Sequence, residues 1–185
     1  MPVDHDHETS SAPGDLDLVR RFVNTNDFDT GAEDLTGPAE FGAWLEEVGL
    51  AKDPDVSARD LTRAIEARET LRSLLLSNNG APVKEGAFDR LNAALAGAAS
   101  EVRFEEGSAT VVPHGGTVEA ALARLAMIVR DAMVSGEWAR LKACPDDECQ
   151  WAFYDRSRNR SRTWCDMQDC GNRAKVRAFR ARKSR

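Results

Sequence analysis

The sequence predicts an α+β fold: a mainly helical N-terminal domain with a small antiparallel β-hairpin, then a short C-terminal module of a knuckle, a second hairpin and a helix. Three observations predict it. Apolar residues recur at helical spacing through most of residues 15–134, the period changes to two only over residues 102–113, and all 4 cysteines stand in the last quarter of the chain. At 185 residues, 42% of them hydrophobic, the chain can build one ordinary core and a small second unit. The expected division is a leader over residues 1–14, a helical domain over 15–140 and a module over 141–185.

Residues 1–14 are polar, include Pro13 and Gly14, and read as a disordered leader to which His5 and His7 belong. From Asp15 to about Asn26, Leu16, Val19, Phe22 and Val23 make a helical stripe. After a loop rich in Asp, Thr and Gly, Pro38 behind Gly37 starts a second helix with Phe41, Trp44, Leu45 and Val48 on one side, ending at Gly49. The longest helix is expected over residues 57–77, with Leu61, Ile65, Leu71, Leu74 and Leu75 inward and Asn78-Asn79-Gly80 as its stop. Between those positions Arg59, Arg63, Glu66, Arg68, Glu69 and Arg72 mix signs at three- and four-residue offsets, which predicts a solvated face.

A fourth helix is expected over residues 84–99 on Phe88, Leu91 and Leu95. Residues 102–105 and 109–113, around Glu106-Gly107-Ser108, then read as the hairpin. Gly115-Gly116-Thr117 should cap the last helix of the domain, residues 118–134, with Leu122, Leu125, Ile128, Val129 and Met133 buried.

The cysteines form two pairs of equal spacing, Cys144-x4-Cys149 and Cys165-x4-Cys170, on either side of a hairpin-sized insert. Such pairs match a tetrahedral zinc site closed by four thiolates. With every position taken by sulfur there is no place for an activated water, so one structural zinc ion on Cys144, Cys149, Cys165 and Cys170 would hold a fold together rather than do chemistry. Two disulfides are the alternative, and they need an oxidising compartment. The acidic start from Met1 to Glu8 is not followed by an apolar run of signal-peptide or membrane-spanning length, which predicts a cytoplasmic protein with no membrane partner. An iron–sulfur cluster is the other competitor, and the symmetric pairs favour zinc over it.

Around the ligands, Pro145-Asp146-Asp147-Glu148 turns the chain, and Trp151-Ala152-Phe153-Tyr154 alternates as a strand. Ser157-Arg158-Asn159-Arg160-Ser161 forms a turn, and Thr163-Trp164 returns as the second strand. Cys170 begins the final helix, whose N-terminal dipole favours an anionic zinc–thiolate centre. This order is treble-clef-like.

Charge divides the chain in the same place. Residues 143–185 hold 11 Lys and Arg against 6 Asp and Glu, whereas residues 1–142 hold 14 against 25. Four thiolates on one zinc ion would lower the tail from +5 to about +3, which is still basic. Residues 156–185 alone carry +9. A basic tail on an acidic body suits a polyanion, because Lys and Arg gain by displacing counterions from phosphates; docking on the protein's own acidic body is the bland alternative. Arg156, Arg158, Arg160 and Arg162 in the hairpin, with Arg173, Lys175, Arg177 and Arg180 on the helix, are the candidate nucleic-acid contacts. Tyr154 and Trp164 among them suit duplex phosphates and single-strand stacking equally.

The helical domain has no Gly-rich phosphate loop and no nucleophile elbow, and its only histidine beyond the leader, His114, lies beside Gly115 in an expected turn. The sequence therefore predicts a protein that is not an enzyme.

The run Cys149-Gln150-Trp151-Ala152-Phe153-Tyr154-Asp155-Arg156-Ser157-Arg158-Asn159, then Arg162-Thr163-Trp164-Cys165-Asp166-Met167 and Cys170-Gly171-Asn172-Arg173, closely resembles the CGNR zinc fingers of bacteria. Residues 18–25, and Trp44-Leu45 ahead of Gly49-Leu50, resemble the ABATE domain that precedes that finger in proteins described as stress-induced transcription regulators. One departure is Thr163, where the family often has a basic residue. The resemblance implies transcriptional control through DNA.

The reading that follows is a zinc-dependent DNA-binding transcription regulator whose acidic domain senses a signal or oligomerises. RNA binding, a protein-interaction adaptor and a thiol redox sensor are the alternatives. A homodimer and a small-molecule ligand of the helical domain are left open by the sequence.

Overall fold

Leu16, Val19, Phe22 and Val23 bury one side of the first helix, α1 (Leu16–Val23), and seed the core. The computed structural model describes residues 11–96, 99–106, 108–114 and 117–183. A two-residue antiparallel pair follows, β1 (Asn26–Asp27) on β2 (Ala32–Glu33). Helix α2 (Pro38–Glu47) has its proline in the first turn, where the missing N–H costs nothing. Helix α3 (Ala58–Asn78) opens on a capping box: Ser57 Oγ accepts from Asp60 N at 3.2 Å, and Asp60 Oδ2 accepts from Ser57 N at 3.0 Å. Then come α4 (Ala87–Ala94), the antiparallel hairpin β3 (Ala99–Glu105) with β4 (Ser108–His114), and α5 (Thr117–Ser135).

The C-terminal module begins with a 3-10 turn, Trp138–Arg140, and strand β5 (Leu141–Ala143), which pairs antiparallel with β6 (Ala152–Tyr154). Both strands are buried on both faces. Leu141, Ala143, Ala152 and Tyr154 belong to the core of the helical domain, whereas Trp151 and Phe153 pack with the cysteines. The little sheet is thus a partition between two cores. The last helix, α6 (Cys170–Lys183), starts at the fourth cysteine. Among the described residues no helix is long and apolar enough to cross a membrane.

Several expectations change. The insert between the cysteine pairs does not form its own hairpin: β6 pairs backward with β5, and Thr163-Trp164 is not a strand. The reason is Lys142, whose Nζ takes the carbonyls of Arg160 and Arg162 at 2.7 and 2.9 Å, so the returning chain wraps a buried ammonium instead of a strand edge. Arg68 and Arg72 are not solvated but almost wholly buried, because β1 and β2 close over that side of α3 and supply acceptors.

Helix α4 is shorter than expected, since Gly86 at its start adopts a left-handed conformation with φ 67. Phe88 and Met133 lie exposed rather than in the core. His114 ends β4 rather than lying in a turn. Residues 11–14 run against α1, with Ala12 buried and its N–H donated to Asp17. His5, His7, Gly107 and the Gly115-Gly116 cap lie outside the described residues.

Candidate metal centre and basic face

The β5–β6 hairpin presents the first cysteine pair and the N-terminus of α6 completes the second. Cys144 N donates to Trp151 O at 3.0 Å, which extends the β ladder by one step to the first ligand. The chain then turns on Asp146, whose carbonyl accepts from both Cys149 N and Gln150 N. Gln150 takes φ 48 to leave the knuckle. On the other side Asp166 Oδ1 accepts from Gln168 N and Asp169 N, forming the turn that delivers Cys170.

All four sulfurs are buried and lie within 4.8 Å of one another. Cys149 and Cys165 Sγ are 3.4 Å apart, Cys165 and Cys170 Sγ 3.6 Å. A disulfide needs about 2.05 Å, whereas a tetrahedron of about 2.3 Å zinc–sulfur bonds has edges of about 3.8 Å. The donor set therefore fits one tetrahedral metal and not two disulfides. Contacts with Cys144, Cys149 and Cys165 hold Cys170 far below the usual thiol range, and the cluster pushes Cys149 and Cys165, each through Cys144 first, far above it. Four thiols this close share protons unevenly; a cation among them lets all four ionise.

Arg173 braces the centre from outside. It donates to Asp29 Oδ1 at 2.6 Å and to Cys170 Sγ at 3.1 Å, and its Nε faces Asp146 Oδ2 at 3.1 Å without hydrogen-bond alignment. Its contact with Asp29 first, and with Cys170 after it, raises its pKa further despite burial. Within Cys170-Gly171-Asn172-Arg173 each residue has a task. Cys170 is a ligand, and the missing Cβ of Gly171 leaves room for Met167 Sδ, which it would meet at 2.6 Å. Asn172 Nδ2 donates to Gln168 O at 2.5 Å.

The ABATE family, described as "putative stress-induced transcription regulator", matches residues 16–136, and the CGNR zinc finger matches residues 140–183. The chain belongs to the ABATE family. Its CGNR finger holds four cysteines arranged for one zinc ion. No curated relative matches the chain.

The ABATE domain and the finger share many polar contacts. Asn24 clamps the backbone of Ala152 from both sides, donating Nδ2 to its carbonyl at 2.9 Å and accepting its N–H at 2.7 Å. Arg72 reaches Gln150 O in the knuckle at 3.0 Å and Val23 O at 2.6 Å. Asn78 caps Trp138 O and Leu141 O, and Asn79 caps Ala143 O and Thr163 O. Asn78 and Asn79 are thus more than a helix stop, and Asn24, Asp29, Asp146 and Lys142 join the site although the sequence does not single them out as functional. Only position in the knuckle marked Asp146; the others are ordinary polar residues until the chain folds.

The eight candidate nucleic-acid contacts divide into two groups. Arg158, Arg160, Lys175 and Arg180 are exposed. The other four are engaged within the protein: Arg173 as above, Arg177 with Asp146 Oδ2 at 3.1 Å, Arg156 with Ser11 O and the Tyr154 ring, and Arg162 with Trp164 O, Cys165 O and the Phe153 ring. Arg156 and Arg177 remain exposed despite their partners. Val176 and Phe179 are exposed on α6.

Proposed function

We propose that the protein is a zinc-dependent DNA-binding transcription regulator in which the finger's helix α6 meets the phosphate backbone. One observation supports this above the rest: α6 carries Arg173, Lys175, Arg177, Arg180, Arg182 and Lys183 and no acid, and all but Arg173 are exposed. Arg158 and Arg160 extend the positive surface onto the loop wrapped around Lys142. Arg173 holds the finger together and Arg177 is paired with Asp146, so the DNA contacts are assigned to Arg158, Arg160, Lys175, Arg180, Arg182 and Lys183. The closed ligand set makes the metal structural, and the acidic ABATE domain carries control.

The test is selection of sheared genomic DNA on zinc-loaded protein near physiological salt, beside a sample stripped by chelator. Enrichment of a few fragments with a common sequence, lost on chelation, is expected. Alanine at Lys175, Arg180 and Arg182 together should flatten the log–log salt slope by roughly 0.9 for each phosphate contact removed. Uniform weak retention that fades with salt, or an unchanged slope in the triple variant, would refute the reading.

A further inference from the structure

We propose that the groove bounded by α3, α4 and α5 is a binding site for a small molecule with an apolar body and an anionic head, a medium-chain carboxylate in type. Side chains of α4 and α5 line opposite parts of the groove, and Arg63, which reaches both Ala94 O and Glu119, ties the end of α4 to the first turn of α5, so that the start of α4 at Phe88 and the end of α5 at Met133 and Val134 meet at the mouth. Phe88 at 53% exposure, Met133 at 43% and Val134 at 81% form an apolar rim, which is unusual for side chains of this size. Below the rim the walls descend to core residues: Phe22, Leu71 and Leu122 are each no more than 3% exposed.

The enclosed space is about 350 Å³, at the lower end of small-ligand sites. No Asp or Glu lines it. Its polar groups are Asn92 and Arg130, both exposed. Arg130 is paired with Asp131 at 2.9 Å, but both side chains are more than half exposed, so a ligand carboxylate can take Asp131's place readily. An apolar floor with one cation at the mouth selects an amphipathic anion over a neutral or cationic ligand.

The experiment titrates the zinc-loaded full chain with decanoate and with decanol by calorimetry, with the oligomeric state followed by sedimentation. Decanoate is expected to saturate at one per chain and to bind more tightly than decanol. Arg130→Gln should weaken decanoate about tenfold, the scale of a lost charge-assisted hydrogen bond, and leave decanol unchanged. Ala126→Trp, at a half-buried position in the lining, should abolish binding of both while zinc content and circular dichroism stay as in the parent. Met133→Trp, at the exposed rim, serves the same purpose if Ala126→Trp does not fold. Absence of saturable binding by either probe, undiminished binding in the filled variant, or equal loss of both probes in Arg130→Gln would overturn the proposal. So would a ligand-free dimer that the filling variant dissociates, since the groove would then belong to a second copy.

Discussion

Each proton on Lys142 Nζ has an acceptor: Asp155 Oδ2 at 2.7 Å and the carbonyls of Arg160 and Arg162. Asp155 in turn accepts from Arg162 N at 2.9 Å and Ser157 N at 2.9 Å. Burial works to raise the Asp155 carboxyl, but the Lys142 ammonium and the Ser157 contacts outweigh it and hold it below the usual range. A group with a depressed folded pKa adds stability that is complete above the unfolded value, about 4, and is lost as pH falls through the folded value. Lys142→Met leaves the carboxylate buried without its cation and should cost about 3–5 kcal/mol in urea unfolding at neutral pH. Asp155→Asn should flatten the acid limb of the stability profile, and an unchanged limb would mean that other carboxylates carry it.

Arg173 poses a different question at the same scale. A lysine there keeps the charge but has no planar fork to reach Asp29, Asp146 and Cys170 together. Arg173→Lys is therefore expected to release zinc to a chelator at least tenfold more readily, as for other residues that brace metal ligands. Retention equal to the parent would reduce Arg173 to a surface cation.

At the scale of elements, the contacts described for α6 gather toward its N-terminal half. Its first turn is held by Cys170, the close approach of Gly171 to Met167, and Arg173, while Val176 and Phe179 remain open to solvent. A Cβ at residue 171 would push on the thioether of Met167, itself 53% exposed and able to swing outward. Alanine also favours helix over glycine by up to about 1 kcal/mol. Gly171→Ala should thus shift stability by less than about 1 kcal/mol in either direction. A larger loss in urea unfolding would show that Met167 is pinned.

For the whole molecule the decisive feature is the β5–β6 partition. Its one face completes the ABATE core and its other face lies against the cysteines, with Asn24, Arg72, Asn78 and Asn79 binding it from the body. Loss of the metal should therefore be felt well beyond the finger. Chelation is expected to lower the calorimetric midpoint of the entire chain in one transition. A body transition that stayed at its original temperature would show that the partition holds without zinc.

The four cysteines and the CGNR run were legible in the sequence because ligand spacing and type are local properties, and the helices α1, α2, α3 and α5 because apolar periodicity is local too. The α+β class followed from the same patterns. Pairing of β6 with β5 rather than with residues 163–164 was not legible, since it depends on where a buried ammonium satisfies distant carbonyls. Nor could alternating charges on α3 reveal that Arg68 and Arg72 are buried: the same offsets describe a solvated face until β1 and β2 close over it. Local spacing decided what could bind a metal; only tertiary packing decided which arginines were left free, because a cation's partners are chosen by distance in space, not along the chain.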